Sequence, residues 1–416
     1  MTLTNWAGNV VFTPGDYVRA TSVEQVQELV AGAPRVRVLG SGHSFSTVAA
    51  TDGLLLSLED LPLSVDVDTA AAEARVTASA RFAHVMPALH QAGLALHNTG
   101  SLPHISVAGA AATGTHGSGT GNRCLAAGIT GIELIAPDGS LRTLRTGDKD
   151  FDGSVVALGL AGVVTALTLK AQPAFDVRQY VYDDLPLAAL AENFGEIMNS
   201  AYSVSAFTHW NGPTMDLLWR KQRVDEPEAP QTYFGARLAD GARHPIAGMP
   251  TENATQQLGV PGPWHERLPH FRFEFTPSRG DEIQSEFLLP IEQAGAALTA
   301  LDAVHPQFRP ALQVAEIRTI AGDDLWLSPA YGRTTVAFHF TWTDDLSEVT
   351  PAIAAVESAL ADFDARPHWG KVFGLSREQV RSRYPRLDDF EELVNRVDPQ
   401  GKFTNAFTRA YLDLPA

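Results

Sequence analysis

Apolar positions in the first third of the chain alternate between helical and strand spacing. In residues 22–30 Val26, Leu29 and Val30 form one helical stripe, Ser22 is placed to cap the first turn, and Glu24 lies within it. Strand-length apolar runs follow at Val36–Leu39, Leu54–Ser57 and 74–78, and residues 81–92 return to helical spacing. The runs 131–135 and 141–144 flank Pro137-Asp138-Gly139, whose Asp-Gly pair predicts a hairpin turn. Residues 163–169 read as a closing strand before Pro173.

The texture then changes. Five tryptophans, Trp210, Trp219, Trp264, Trp326 and Trp342, fall between 174 and 365, with alternating runs at 271–276 and 335–343. In the first, Phe271, Phe273 and Phe275 would share one strand face. Residues 227–263 are rich in Pro and Gly and read as loops over a sheet. Helices are predicted at Arg377–Arg383 and 390–397. The pattern predicts an α+β protein with three parts: 1–173, a second part with an antiparallel sheet at 174–365, and a polar-helical C-terminal segment at 366–416.

Composition narrows the function classes. The 416 residues carry 31 Lys+Arg against 48 Asp+Glu, a formal charge of −17, which repels phosphate backbones and disfavours nucleic acid as a partner. The lone cysteine, Cys124, excludes an internal disulfide framework and a cysteine-rich metal site, and no metal is expected. No apolar run approaches the ~20 residues of a membrane span, and the start of the chain has no signal-peptide pattern. A cytoplasmic protein with no membrane partner is the expectation.

Two glycine-rich segments carry candidate chemistry. Gly40-Ser41-Gly42-His43-Ser44-Phe45 follows a predicted strand directly, so its backbone can turn sharply and offer N–H groups to an anion. Phe45 stands where the dinucleotide fingerprint needs a third glycine, and no Gly-Lys-Ser/Thr occurs, so neither a Rossmann nor a P-loop reading applies. A plain tight turn would use the same residues. The second segment, 101–119, is dense in Gly, Ala, Ser and Thr between two strands. It suits a backbone lying against a flat ligand better than a flexible linker.

A third pattern lies further on. In residues 313–319 Glu316 and Arg318 are two apart and share a strand face; His339 and Thr341 do likewise, with Ala337 and Thr343, while Phe338, Phe340 and Trp342 face the core. An acid, a guanidinium, an imidazole and a hydroxyl could thus converge on one pocket. A cross-strand salt bridge with a buried histidine fits the pattern equally well.

Strand-GSGHS followed some sixty residues on by GTHGSG resembles the vanillyl-alcohol-oxidase-type flavoproteins. SLPHISVAG, GVPGPWHERLPHFR, EIRT, LSPAYGR, HFTW, RPHWGKVF and GKFTNAF resemble its sugar-oxidising branch, and the likeness runs nearly end to end. The resemblance implies an FAD-binding domain, a cap domain with a large antiparallel sheet, and FAD held covalently by His43 through the flavin 8α-methyl. It implies pyrophosphate contacts from Gly40, Ser41, Gly42, Ser44 and Phe45. It further implies a cofactor lining of Ser101, Ser106, Gly109, Thr113, Gly114, Thr115 and His116, with Val155, Val164 and His368. Gly100 would lie near flavin C4a and leave dioxygen a path. Ser101, Glu316, Arg318, Thr341 and Lys371 would bind a linear polyol such as xylitol or sorbitol. Arg318 and Lys371 would stabilise a developing alkoxide, and His339 would accept or relay its proton. The implied reaction oxidises the terminal primary hydroxyl to an aldehyde and reduces O2 to H2O2. A monomer is expected. An aldonolactone oxidase or dehydrogenase, or a non-catalytic flavin- or sugar-binding protein, are the competing readings.

Overall fold

The computed structural model describes residues 2–246, 248–274 and 280–415. Leu54–Ser57 pairs in parallel with both Asp16–Arg19 and Val36–Leu39. Helix Val23–Gly32 connects the outer two, capped as its sequence predicts by the Ser22 hydroxyl, which accepts from the Gln25 N–H at 3.1 Å. Its stripe buries Val26 and Val30 against the sheet.

A 5-stranded antiparallel sheet follows, ordered Leu141–Arg145, Ile129–Ile135, Val163–Lys170, Glu73–Thr77, Val65–Asp68. The hairpin turns at Asp138-Gly139, where Gly139 takes φ +83° and the Asp138 carboxylate accepts from the Ser140 N–H. Helices Phe82–Gln91 and Val107–Ala112 complete this part.

A 10-stranded sheet, antiparallel at every pairing among the described residues, holds Asp176–Pro186, Thr214–Arg223, Ser203–Thr208, Leu312–Ile320, Thr335–Trp342 and Ile283–Pro290 adjacent in that order. Alternation gives each strand two distinct faces. Phe340 and Trp342 stack at 5.0 Å and meet Phe308 edge-on, beneath helices Ala294–Phe308 and Leu346–Ala359. Each such buried aromatic contributes about 1.5–3 kcal/mol. His339 and Thr341 project from the opposite face of that strand.

Three expectations are corrected. Residues 271–274 form no strand beyond a single bridge from Phe271 to Ala254, and Phe273 is exposed; Phe275 and Thr276 lie outside the described residues. Within the expected loops of 227–263, Thr232–Tyr233 and Ala236–Leu238 extend the edge of the large sheet. Thr343 falls one residue past its strand, and its N–H bonds the Ala311 carbonyl instead. The C-terminal segment fastens the first strands: Lys402 Nζ donates to the carbonyls of Val30 and Pro137, and the Asn405 amide to those of Thr47, Val48 and Ala50.

Candidate active site

The Gly40–Phe45 loop leaves Val36–Leu39 and turns at Gly42, whose φ of +70° favours glycine. Three segments hold it. From the N-terminal hairpin of Leu3–Thr4 and Val11–Phe12, Trp6 N–H donates to the Gly42 carbonyl, while the Asn5 and Asn9 amides donate to the Ser44 and Phe45 carbonyls. From the C-terminal segment, the Gly370 carbonyl accepts from Phe45 N–H, and the Trp369 carbonyl accepts from the Ser46 hydroxyl. From the second glycine-rich segment, Ser106 exchanges hydrogen bonds with Ser41.

This packing leaves a long cleft beside the loop. Along it the chain presents small residues: Gly40, Gly109, Ala110, Ala112 and Thr113, then Gly159 and Gly162 from the turn before strand Val163–Lys170 and Val164 on that strand. A Cβ on Gly40 or Gly109 would lie 2.7 or 2.6 Å from Ser106 Oγ, so both positions need their bare backbone. A narrow bed of small residues between two glycine-bearing segments fits a flat dinucleotide, and FAD meets that requirement.

His43 also lines the cleft, its ring stacked on Trp6 at 5.2 Å, with Nδ1 3.1 Å from the Ser41 carbonyl oxygen. Burial pulls its pKa down to about 4, so the imidazole is neutral near pH 7 and retains a nucleophilic lone pair. Ser44, Phe45, Gly100, Ser101, Thr115, His116 and His368 reach the same cleft. Gly114 and Val155 do not. Gly114 turns the chain at φ +72°, where a Cβ would lie 3.0 Å from Pro329 Cδ, and Val155 is packed in the core.

At its far end the cleft meets the large sheet. Pairing places Phe207, Glu316, His339 and Glu286 in one row across four adjacent strands. Arg318, Thr341, Lys371 and His270 join them in lining the cleft. The sequence reading brings Glu316, Arg318, His339, Thr341 and Lys371 together but misses Glu286. The Glu286 carboxylate accepts from Arg318 Nη2 and from Lys371 Nζ, each at 2.7 Å. Burial alone would raise its pKa, but the charges of Lys371 and Arg318 hold it well below the usual carboxylate range. Period-two spacing of Glu282, Gln284 and Glu286 was the available signal.

Lys371 Nζ also lies against His339 Nδ1, and His339 Nε2 is 3.2 Å from the Thr341 hydroxyl. Burial first, then Lys371, lowers His339 to about 4. Arg318 is held cationic by Glu316 and Glu286 against the cost of burial, and among the described residues its buried Nε has no hydrogen-bond partner, Glu316 Oε1 lying 3.6 Å away. The arrangement presents two cations, a neutral imidazole and several hydroxyl-binding groups beside the flavin-shaped cleft. Such a site suits oxidation of a neutral, hydroxyl-rich molecule. His116, Glu286 and His368 lie close enough to ligate a metal, but Glu286 already serves two cations.

The fold and cleft define an FAD-dependent oxidoreductase. A family model described as an FAD binding domain matches residues 14–145, and one described as D-arabinono-1,4-lactone oxidase matches 277–411. The chain is 50% identical to an alditol oxidase from a Streptomyces species, covering 99% of both chains. It is 30% identical to an L-gulono-1,4-lactone dehydrogenase from Mycobacterium tuberculosis, covering 98% of both. Cholesterol oxidase from B. sterolicum shares the fold at a TM-score of 0.77, with 15% identity over 99% of this chain and 96% of that one. The chain belongs to the vanillyl-alcohol-oxidase-type flavoproteins, in the branch that holds the alditol and aldonolactone oxidases. Among the described residues no helix is long and apolar enough to cross a membrane.

Proposed function

We propose that this protein is an alditol oxidase that converts the terminal primary hydroxyl of a linear polyol, such as xylitol or sorbitol, to the aldehyde of the aldose. The row of Glu316, His339 and Glu286, with Arg318 and Lys371 beside it, carries this reading. A polyol offers only neutral hydroxyls, each both donor and acceptor, and this wall answers with a mixed set of partners.

Held by the Gly40–Phe45 loop and the bed of small residues beside it, FAD would supply a two-electron acceptor for the hydride of the alcohol carbon and a route for that electron pair to O2, giving H2O2. The protein's part is binding, charge stabilisation and proton movement. Ser101, Glu316 and Thr341 bind the hydroxyls of the polyol chain. Arg318 and Lys371 flank O1 and stabilise the developing alkoxide. Lys371 takes the hydroxyl proton as it yields one of its own to the neutral His339 Nδ1, against which it already lies. His43 holds the cofactor covalently at the 8α-methyl. Gly100 leaves the oxygen path open.

The chain divides in this reading into an FAD-binding part at 1–173, a cap at 174–365 and a returning segment at 366–416. A cytoplasmic monomer fits its single buried thiol, Cys124. Purified protein should be assayed under air with C3 to C6 polyols and with aldonolactones, following peroxide. Xylitol or sorbitol should give the higher kcat/KM. Preference for a lactone, by peroxide or by flavin bleaching, would move the chain to the lactone-oxidising reading, and absence of both peroxide and bleaching with every substrate would favour a binding protein.

A further inference from the structure

Behind Glu316, outside the residues assigned above, lies a buried chain of polar groups. Lys221, on Thr214–Arg223, is 1% exposed, and Trp219 and Leu217 share its strand face. Its Nζ contacts three acceptors: the Leu268 carbonyl at 2.6 Å, the Pro269 carbonyl at 2.9 Å and His270 Nδ1 at 3.0 Å. Burial lowers the pKa of Lys221 well below the usual lysine value although Glu316 opposes this, and the three acceptors match the three N–H bonds that an ammonium donates. With Nδ1 accepting, the His270 proton resides on Nε2, which donates to Glu316 Oε1 at 2.7 Å.

The imidazole has little freedom to turn. Phe207 and Trp219 meet it edge-on at 5.6 and 5.2 Å. Among the described residues no group bonds Glu316 Oε2, which is left for a ligand. The same clamp reaches a second substrate residue, because the backbone N–H groups of His270 and Phe271 both donate to the Ser101 carbonyl.

We propose that Lys221 and His270 are positioning residues that fix Glu316 and Ser101 as hydroxyl partners of the polyol. The inference rests on the alditol-oxidase reading. Lys221 locks the tautomer and place of His270; His270 holds Glu316 through its ring and Ser101 through its backbone. Loss of these bonds should weaken ground-state and transition-state binding alike, which raises KM and spares kcat.

The test uses flavin-loaded protein, with anaerobic bleaching by xylitol followed at increasing concentration. The wild-type trace tests the alditol reading by itself. His270→Leu should raise the half-saturating xylitol concentration about tenfold or more, with the limiting rate nearly unchanged. His270→Gln, which keeps a donor near the Nε2 position, should restore most of that loss, and Lys221→Met should resemble His270→Leu. A merely structural role would lower Tm or flavin content and leave half-saturation of the loaded molecules at the wild-type value. That result, or a fall in limiting rate with unchanged half-saturation, would overturn the proposal while the wild-type trace still supports an alditol oxidase. If Lys221→Met does not fold, the Leu and Gln variants at position 270 decide.

Discussion

Ser41 and Ser106, 65 residues apart in sequence, bond each other reciprocally: each hydroxyl accepts from the other's backbone N–H, at 3.1 and 3.3 Å. This exchange fixes the spacing between the two glycine-bearing segments that frame the cofactor cleft. Ser106→Ala should cost about 1–2 kcal/mol and lower flavin content on purification. Gly40→Ala should be worse, because its methyl would lie 2.7 Å from Ser106 Oγ and drive it off Ser41. Tm and flavin-to-protein absorbance check both; full flavin occupancy in Gly40→Ala would refute this reading of the clasp.

The proposed attachment of flavin at His43 makes a mass prediction. Denatured wild-type protein should carry the mass of one FAD, and acid precipitation should leave the yellow colour in the pellet. His43→Ala should release it. Trp6→Ala removes the ring stacked on the imidazole and should leave a measurable fraction of chains without attached flavin. Free FAD from unmutated protein would contradict the linkage.

Gly100 offers a cleaner dissection than most cleft residues. A Cβ placed there meets Ile105, Leu125 and Thr115 at 3.7–4.0 Å, ordinary contact distances, so alanine fits without displacing protein. Gly100→Ala, and more so a bulkier residue, should slow reoxidation by O2 while anaerobic reduction by xylitol stays near wild type. Stopped-flow traces of the two half-reactions decide; equal slowing of both would remove oxygen access as the role of this position.

Glu286 is predicted to be indispensable although it bears no motif. Removing the carboxylate with Glu286→Ala strands two buried cations, a change that typically costs about 3–5 kcal/mol. Glu286→Gln keeps the volume and should be milder in Tm while still lowering kcat/KM, because Arg318 and Lys371 lose the anion that places them. Wild-type kcat/KM in Glu286→Gln would exclude that placing role.

Acid should weaken the fold before the carboxylates titrate. His270 and His339 are buried and lowered from 6.5 to about 4, so between those values the unfolded chain binds protons that the folded chain refuses. Stability therefore falls as pH drops through that window. Below it, protonation of Glu286 and Glu316, both held low in the fold, removes more. Tm should decline from about pH 6.5 downward, with a shallower slope in His339→Gln; a flat Tm to about pH 4.5 would contradict this.

The legible parts of the molecule were those where one short segment carries its own pattern. Alternation in 313–319 and 335–343 places Glu316, Arg318, His339 and Thr341 on the correct face, because antiparallel strands with one packed face keep a period of two. The Ser22 cap and the Asp138-Gly139 turn are likewise local chemistry. Glu286 has the same periodicity but no neighbouring motif to draw attention to it. Lys221 and His270, 49 residues apart, meet only because the 268–270 segment crosses the sheet face, and no local pattern encodes that. Gly114 reads as cofactor lining by its neighbours, yet its left-handed turn serves packing against Pro329.

The most direct test of the whole account is a single anaerobic mixing of the purified yellow protein with xylitol, followed by admission of air. The flavin absorbance should bleach to the fully reduced form, return on contact with oxygen, and leave one aldose and one hydrogen peroxide per cycle. A flavin that stays oxidised in excess xylitol and sorbitol would contradict the account.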